Sequence, residues 1–147
     1  MCEEILLNGT SGVLAVLGDE EYPYAVPLSY VYEDGKIFFH SAKSGHKIDA
    51  VRRNAKASFC VIDQDKIVPE EYTTYFRSVI AFGKIRIMDD EDEKRSAIEK
   101  LALKYAPMDS AEGRKRAVDK EYNAICMLCL DVECMSGKEA IELVRKR

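Results

Sequence analysis

Residues 24–54, YAVPLSYVYEDGKIFFHSAKSGHKIDAVRRN, contain the succession of elements that decides the fold. Tyr24–Tyr32 is rich in β-branched and aromatic residues and predicts a strand. Asp34-Gly35 predicts a tight hairpin, because both central residues of a type I′ turn need positive φ. Lys36–Ser41 is then the returning strand. The stretch therefore predicts a β-hairpin that leads into a loop and a helix.

The loop before the helix has an unusual composition. Ser41–Lys47 holds two hydroxyls, a glycine, two lysines and a histidine, and the helix begins near Gly45. Helix N-termini leave N–H groups unpaired and carry partial positive charge, so this loop is a candidate phosphate seat. A solvated loop capped by serine is the alternative interpretation. Neither GxxxxGK[ST] nor GxGxxG is present, so the common nucleotide motifs do not apply.

The size and composition of the chain limit the class of protein. Its 147 residues fit one domain, 1–147, with 47% hydrophobic and 33% charged residues. A net charge of −4 argues against a nucleic-acid partner, which would need a basic face. No apolar run approaches the roughly 20 residues that span a bilayer, and no secretory signal is visible. We therefore expect a cytoplasmic protein without a membrane partner.

The five cysteines suggest free thiols, since their number is odd and no export signal is present. Cys126 and Cys129 form a CxxC motif, which invites a metal or redox interpretation. However, Ile125–Met135 is predicted to be a strand, where residues three apart point to opposite faces. Two ligands on opposite faces cannot share one zinc ion, so we expect no metal site and assign the thiols to the core.

Four further features complete the strand assignment. Pro27 has no N–H to donate, so its strand should lie at an edge or a bulge. Asp63–Glu71 is interpreted as a polar crossing, and a bend is expected at Gly83. The first half of the last strand is apolar on both faces, which requires a covering helix or another subunit. The other predicted strands are Gly12–Leu17, Lys56–Ile62, Thr73–Met88 and Ala124–Met135.

Helices are predicted at the periphery. Met1–Asn8 forms the first, and Asp90 with Glu93 fits a capping pattern at the start of another. Ser136 with Glu139 is a second capping box and predicts a C-terminal helix. The helical patch at residues 111–121 is mostly charged and solvated. Six strands and these helices indicate a mainly β fold, a closed or nearly closed antiparallel barrel.

With this order of elements, the chain resembles the FMN-binding split barrels. More narrowly, it resembles the nitroimidazole-resistance branch of the pyridoxamine phosphate oxidase-like superfamily. The matching segments are YPYAVPLSYVYEDGKIFFHSAKSGHKID (22–49), RRNAKASFCV (52–61), SVIAFGKIRIMDDEDEK (78–94) and MSGKEAIEL (135–143). The resemblance implies a six-stranded antiparallel Greek-key split barrel and a homodimer with FMN at the subunit interface. FAD or haem are the alternative cofactors.

The resemblance also assigns site residues. Five residues of one strand line the flavin, namely Val26, Pro27, Leu28, Ser29 and Tyr30. The resemblance places the end of the next strand and the following loop beside the flavin ring and its phosphate. These residues are His40, Ser41, Ala42, Lys43, Ser44, Gly45, His46 and Lys47. The long fifth strand contributes Tyr75, Arg77, Ser78 and Val79. The basic substrate-binding residues of true pyridoxamine phosphate oxidases have no counterpart here, so that activity is not expected.

Three functions are compatible with these features. The first is an FMN-dependent reductase of small nitroaromatic or quinone-like acceptors, with His40 as a catalytic proton donor. The alternative interpretation of His40 is a strand-end histidine bonded to backbone. The second function is a flavin- or haem-binding protein without turnover, in which His40 or His46 could ligate haem. The third is an interaction barrel without a cofactor.

Overall fold

The computed structural model describes the whole chain, Met1–Arg147. Short 3₁₀ turns occupy Asp19–Glu21 and Pro69–Glu71. The seven strands are β1 (Ser11–Leu17), β2 (Pro23–Ser29), β3 (Val31–Glu33), β4 (Lys36–Ala42), β5 (Lys56–Val68), β6 (Thr73–Ile87) and β7 (Ile125–Glu139). The five helices are α1 (Cys2–Asn8), α2 (His46–Arg53), α3 (Glu91–Tyr105), α4 (Ala111–Glu121) and α5 (Ile141–Arg145).

All seven strands belong to one antiparallel sheet, in the order β2-β1-β5-β6-β7-β4-β3. The fold is mainly β, as the sequence indicated, but the expected count of six strands is wrong. The stretch predicted as one strand, Tyr24–Tyr32, changes partner at Tyr30: β2 pairs with β1, and β3 pairs with β4. The two edge strands of the sheet, β2 and β3, are thus consecutive in the chain. No ladder joins them, so hydrogen bonds do not close the barrel.

Tyr30 divides the strand because its side chain turns into the core. It is fully buried, and its hydroxyl donates to Leu6 O at 2.6 Å. Its ring packs edge-on against Phe59 with centroids 4.9 Å apart. Burial raises the pKa of Tyr30 to about 12. A side chain that needs both a packing site and a hydrogen-bond partner fixes the chain at this point.

The predicted hairpin is confirmed. Asp34 and Gly35 have φ of 47° and 76°, as a type I′ turn requires. β4 then pairs along its length with the first half of β7, from Ala42 opposite Ile125 to Lys36 opposite Asp131. The bend expected at Gly83 appears as an irregularity in the β6–β7 register between Phe82 and Gly83.

Two local predictions are wrong. Asp63–Glu71 is not a polar crossing, since β5 continues past a bulge near Gln64 and pairs with β6 as far as Val68. The capping box of Ser136 and Glu139 does not start a helix, because both residues pair with β6. The C-terminal helix begins at Ile141 instead. In both places the pairing of two long strands outweighs the structure that a short local sequence pattern favours.

Helices α3 and α4 cover the side of β7 that faces away from the main core. Met127 and Cys129 are fully buried there, against Ile98 and Leu101 of α3 and Val118 of α4. A helix of the same chain therefore supplies the cover that the two-sided burial required, and this burial is no argument for a second subunit. The cap at Asp90 is confirmed, since its carboxylate accepts from the N–H groups of Asp92 and Glu93.

No helix of the structure is both long enough and apolar enough to cross a membrane.

Candidate functional site

Two strand edges face each other without pairing. β2 pairs only with β1, and β4 meets β3 only as far as Phe38, so Phe39–Ala42 has a free edge. β2 and β4 approach each other in space. We call the space between Pro23–Ser29 and Phe39–Ala42 the seam. Backbone N–H and C=O groups along a free edge are available to a ligand.

The N-terminus of α2 lies at the end of β4 beside the seam. Its N-cap is Gly45, whose φ of 132° strongly favours glycine, and no side chain caps the first turn. The position where a Cβ of Gly45 would stand has no neighbour within 4 Å. Ile48, Ala50 and Val51 are buried and hold the helix on the barrel. The first-turn N–H groups of α2 therefore have no side-chain acceptor, as an anion site requires.

The basic side chains around α2 are either unpaired or in contact with Asp19. Lys43 and Lys47 make no ion pair. His46 and Arg53 are paired with Asp19, whose carboxylate lies 3.2 Å from His46 Nδ1 and 2.9 Å from Arg53. The hydrogen bond from Arg53 lowers the pKa of Asp19. The sequence analysis missed Asp19, because nothing local places the turn after β1 beside α2.

The residues predicted on β2 alternate between the two faces of the sheet. Val26 and Leu28 pack against the core, whereas Pro27 is exposed on the outer face. Ser29 is half-buried, and the side chain of Tyr30 is fully buried. The backbone of this strand can therefore face the seam, but its side chains cannot all contact one ligand.

His40 and Ser41 also lie on opposite faces. Ser41 is buried, and its hydroxyl donates to Ala42 O at 2.9 Å, so it does not face the loop. His40 is exposed on the opposite side of β4 from Ser41. Its ring is edge-on to Tyr105 at a centroid distance of 6.3 Å. The imidazole of His40 has no hydrogen-bond partner within the chain. Ala42, Lys43, Ser44 and His46 are exposed.

The segment predicted on β6 lies elsewhere. Arg77 pairs with Glu139 at the far end of β7, whereas Ala42 pairs with Ile125 at its start. The guanidinium of Arg77 is held by Glu139 at 2.7 Å and Asp63 at 3.3 Å. The other predicted residues of this segment are Tyr75, which donates to Glu71 at 2.6 Å, Ser78, which is half-buried, and Val79, which is fully buried. One chain does not bring this segment to α2.

An apolar face crosses four adjacent strands on the outside of the sheet. The register aligns Pro27, Val13, Cys60 and Ile80 in one row across β2, β1, β5 and β6. The next row contains Ala25, Ala15, Ser58 and Phe82. Val13 is 39% exposed and Phe82 43%. We call these two rows the outer face; the sequence analysis assigned only Pro27 of these residues to the site.

The two cysteines of the CxxC motif lie on opposite sides of β7, as predicted. Cys126 packs against the main core, and Cys129 is buried under α3 and α4. Burial raises the pKa of Cys129 to about 11. All five cysteines are free thiols, and no three side chains of His, Cys, Asp or Glu converge as a metal site.

The sequence matches a family model described as pyridoxamine 5′-phosphate oxidase over residues 1–139. No curated protein sequence matches the chain.

Solved structures share the fold at low sequence identity. A candidate 5-nitroimidazole antibiotic resistance protein from Bacteroides thetaiotaomicron is 23% identical, with a TM-score of 0.73 over 92% of this chain and 80% of that one. An FAD-binding protein from Mesorhizobium loti is 23% identical, with a TM-score of 0.65 over 95% and 92%. An FAD and haem binding protein from Mycobacterium smegmatis is 20% identical, with a TM-score of 0.74 over 98% and 75%.

Proposed function

Since the chain belongs to the pyridoxamine 5′-phosphate oxidase family, we propose that it binds FMN and uses it to reduce small aromatic acceptors of nitro or quinone type. The observation that carries the proposal is the uncapped N-terminus of α2, preceded by Gly45 and flanked by two unpaired lysines, beside the seam. When bound, FMN supplies two-electron redox chemistry, while the protein holds and orients it. The chemistry and the geometry of this region fit a ligand with one phosphate and one flat ring.

The phosphate would bind at the start of α2. The first-turn N–H groups donate to its oxygens, and Lys43 and Lys47 supply full positive charges. Gly45 leaves the space above the backbone open, so the phosphate can approach closely. His46 contributes only in competition with Asp19, whose carboxylate lies 3.2 Å from its Nδ1.

The flat ring would lie along the seam. The free edges of β2 and β4 offer backbone donors and acceptors to the polar edge of a flavin. Pro27 has no N–H, so any donors that β2 offers to the seam come from its other residues. His40 is exposed beside this region and unbonded, which suits it to deliver a proton to a reduced acceptor.

We also propose that the protein is a homodimer. The outer face supports this proposal, because exposed apolar side chains on four adjacent strands indicate a surface that a partner covers. A two-fold axis would cover the same face on both copies. The position of Tyr75–Val79 adds a second argument: this segment is far from α2 of its own chain, so only another copy could bring it to the flavin.

The spectrum of the purified protein tests the proposal. We expect absorption of oxidised flavin, release of fluorescent FMN on heating, and consumption of NADH or NADPH with nitroaromatic or quinone acceptors. A Soret band without flavin would instead support haem binding, for which the unbonded His40 could be a ligand. If added FMN neither binds nor raises the melting temperature, the proposal is wrong.

A further inference from the structure

A cavity of about 290 Å³ lies between α3, α4 and the end of β4, apart from the phosphate seat. Most of its lining is apolar. Ile98, Leu101 and Tyr105 contribute from α3 and Ala117 from α4, and the polar lining residues are His40 and Glu121. Ligand pockets usually measure about 300–1,000 Å³, so this cavity has room for one or two fused rings but for no peptide or large cofactor.

The two polar residues decide which ligand chemistry fits. His40 and Glu121 are both exposed, so they stand at the solvent side of the cavity, whereas Leu101 and Val118 are buried. Neither polar side chain is engaged in an ion pair within the chain, and His40 can donate or accept one hydrogen bond. The carboxylate of Glu121 repels an anion. The ring of Tyr105, edge-on to His40, adds an aromatic wall.

We propose that this cavity binds a small, neutral, flat aromatic molecule of one or two rings, with a polar substituent directed at His40. The apolar lining takes the rings, and His40 bonds the substituent. The inference rests on the proposed function in one respect: because His40 also borders the seam, the molecule would be the acceptor that the flavin reduces. Binding itself needs no flavin, so it can be tested separately.

The probe is 2-naphthol, which is neutral, compared with 2-naphthoate, which has the same rings and a negative charge. Calorimetric titration of the full chain should show saturable binding of 2-naphthol and at least tenfold weaker binding of 2-naphthoate. In the E121Q variant, the affinities for 2-naphthol and 2-naphthoate should differ less than in the native chain. His40→Ala should weaken 2-naphthol binding by about two- to tenfold, the range of one neutral hydrogen bond. Absence of saturable 2-naphthol binding would overturn the inference.

Ala117→Phe places a ring in the cavity from an exposed position of α4, so the variant should fold. It should weaken 2-naphthol binding at least tenfold. The matched control is Ala111→Phe, which makes the same change at an exposed position of the same helix outside the cavity and should bind like the native chain. Equal affinities of both variants would show that the probe binds elsewhere.

FMN titrations of the same variants separate the two proposals. The Ala117→Phe and Ala111→Phe variants should both keep the FMN affinity of the native chain, while Ala117→Phe alone loses activity towards two-ring acceptors. If FMN does not bind but 2-naphthol does, the proposed function fails and the cavity assignment stands. If FMN binds and 2-naphthol does not, the cavity assignment fails alone.

Discussion

Asp19 and His46 lie side by side at the start of α2, with 3.2 Å between the Asp19 carboxylate and His46 Nδ1, where the phosphate of the proposed flavin would bind. The same carboxylate also holds Arg53, at 2.9 Å. A negative charge therefore stands beside the proposed anion seat, where it pairs with Arg53 and contacts His46. FMN binding would have to proceed against this charge, which gives Asp19 control over the affinity.

Replacing Asp19 by Asn should strengthen FMN binding. We expect a gain of about two- to fivefold at low salt, because exposed charge pairs contribute on the order of 1 kcal/mol or less. The gain should shrink as salt rises from about 0.01 M to 1 M, where the Debye length falls from about 30 Å to 3 Å. Fluorescence titration of FMN measures it. Asp119→Asn is the control, since Asp119 also pairs with two cations but lies on α4. Weaker binding in Asp19→Asn would contradict the prediction.

Lys47→Ala should weaken the binding of FMN through its phosphate. The expected loss is about 1.5–3 kcal/mol, or on the order of ten- to a hundredfold in Kd, as for a charge-assisted hydrogen bond. Riboflavin, which lacks the phosphate, should bind the variant as it binds the native chain. Lys120→Ala on α4 removes an exposed lysine elsewhere and should change neither affinity. An equal loss for FMN and riboflavin would mean that Lys47 acts on the ring or on the fold.

Phe82→Lys should separate the subunits. Phe82 lies in the second row of the outer face, and a lysine there would be buried unpaired in a dimer interface. Sedimentation equilibrium should give twice the mass of one chain for the native protein and the mass of one chain for the variant. Leu103→Lys, on an exposed part of α3, should remain dimeric. A native protein that sediments as a monomer would refute the dimer, and with it the two-chain flavin site.

Tyr30→Phe should affect stability and not flavin binding. It leaves the buried Leu6 carbonyl without its donor, which costs about 1–3 kcal/mol. Urea denaturation should show this loss, whereas Tyr72→Phe, at a position 97% exposed, should be neutral. FMN affinity should stay within about twofold, because the side chain of Tyr30 is fully buried in the core and its hydroxyl bonds Leu6. A large loss of affinity with unchanged stability would instead make Tyr30 a cofactor contact.

Cys129 should make the fold sensitive to alkaline pH. Its pKa is raised by burial from 9.0 to about 11, so the folded protein keeps a proton that the unfolded chain releases. The contribution of this thiol is complete below pH 9 and is lost as the pH rises towards about 11. Urea midpoints across this range should fall less steeply in Cys129→Ala than in the native chain. Cys134→Ala, at an exposed thiol, should follow the native profile.

The sequence analysis succeeded where the signal is local. The turn at Asp34-Gly35, the cap at Asp90 and the loop before α2 are each decided by a few adjacent residues, and all three lie where they were predicted. The order and direction of most strands follow from such signals. The family resemblance added the flavin, which no local pattern identifies.

The errors and omissions arise where distant strands set the geometry. Tyr30 divides a strand because of a contact with Leu6, and Asp19, in the turn after β1, meets His46 at the start of α2. The capping pattern at Ser136 is overridden by its pairing with Ile80. Arg77 lies far from α2 because of the β6–β7 register. None of these relationships can be read from neighbouring residues, since each depends on how remote segments align.

The pairing of β4 with β7 joins residues such as Ala42 and Ile125, about eighty positions apart in the chain. Closing so long a loop costs more entropy than forming the hairpins β1–β2 and β5–β6, so this ladder should form late in folding. His40 and the start of α2 would then reach their places after most of the barrel has assembled. A slowly folding variant could therefore accumulate with an intact sheet and an unfinished ligand site, and adding FMN during refolding would favour the completed form.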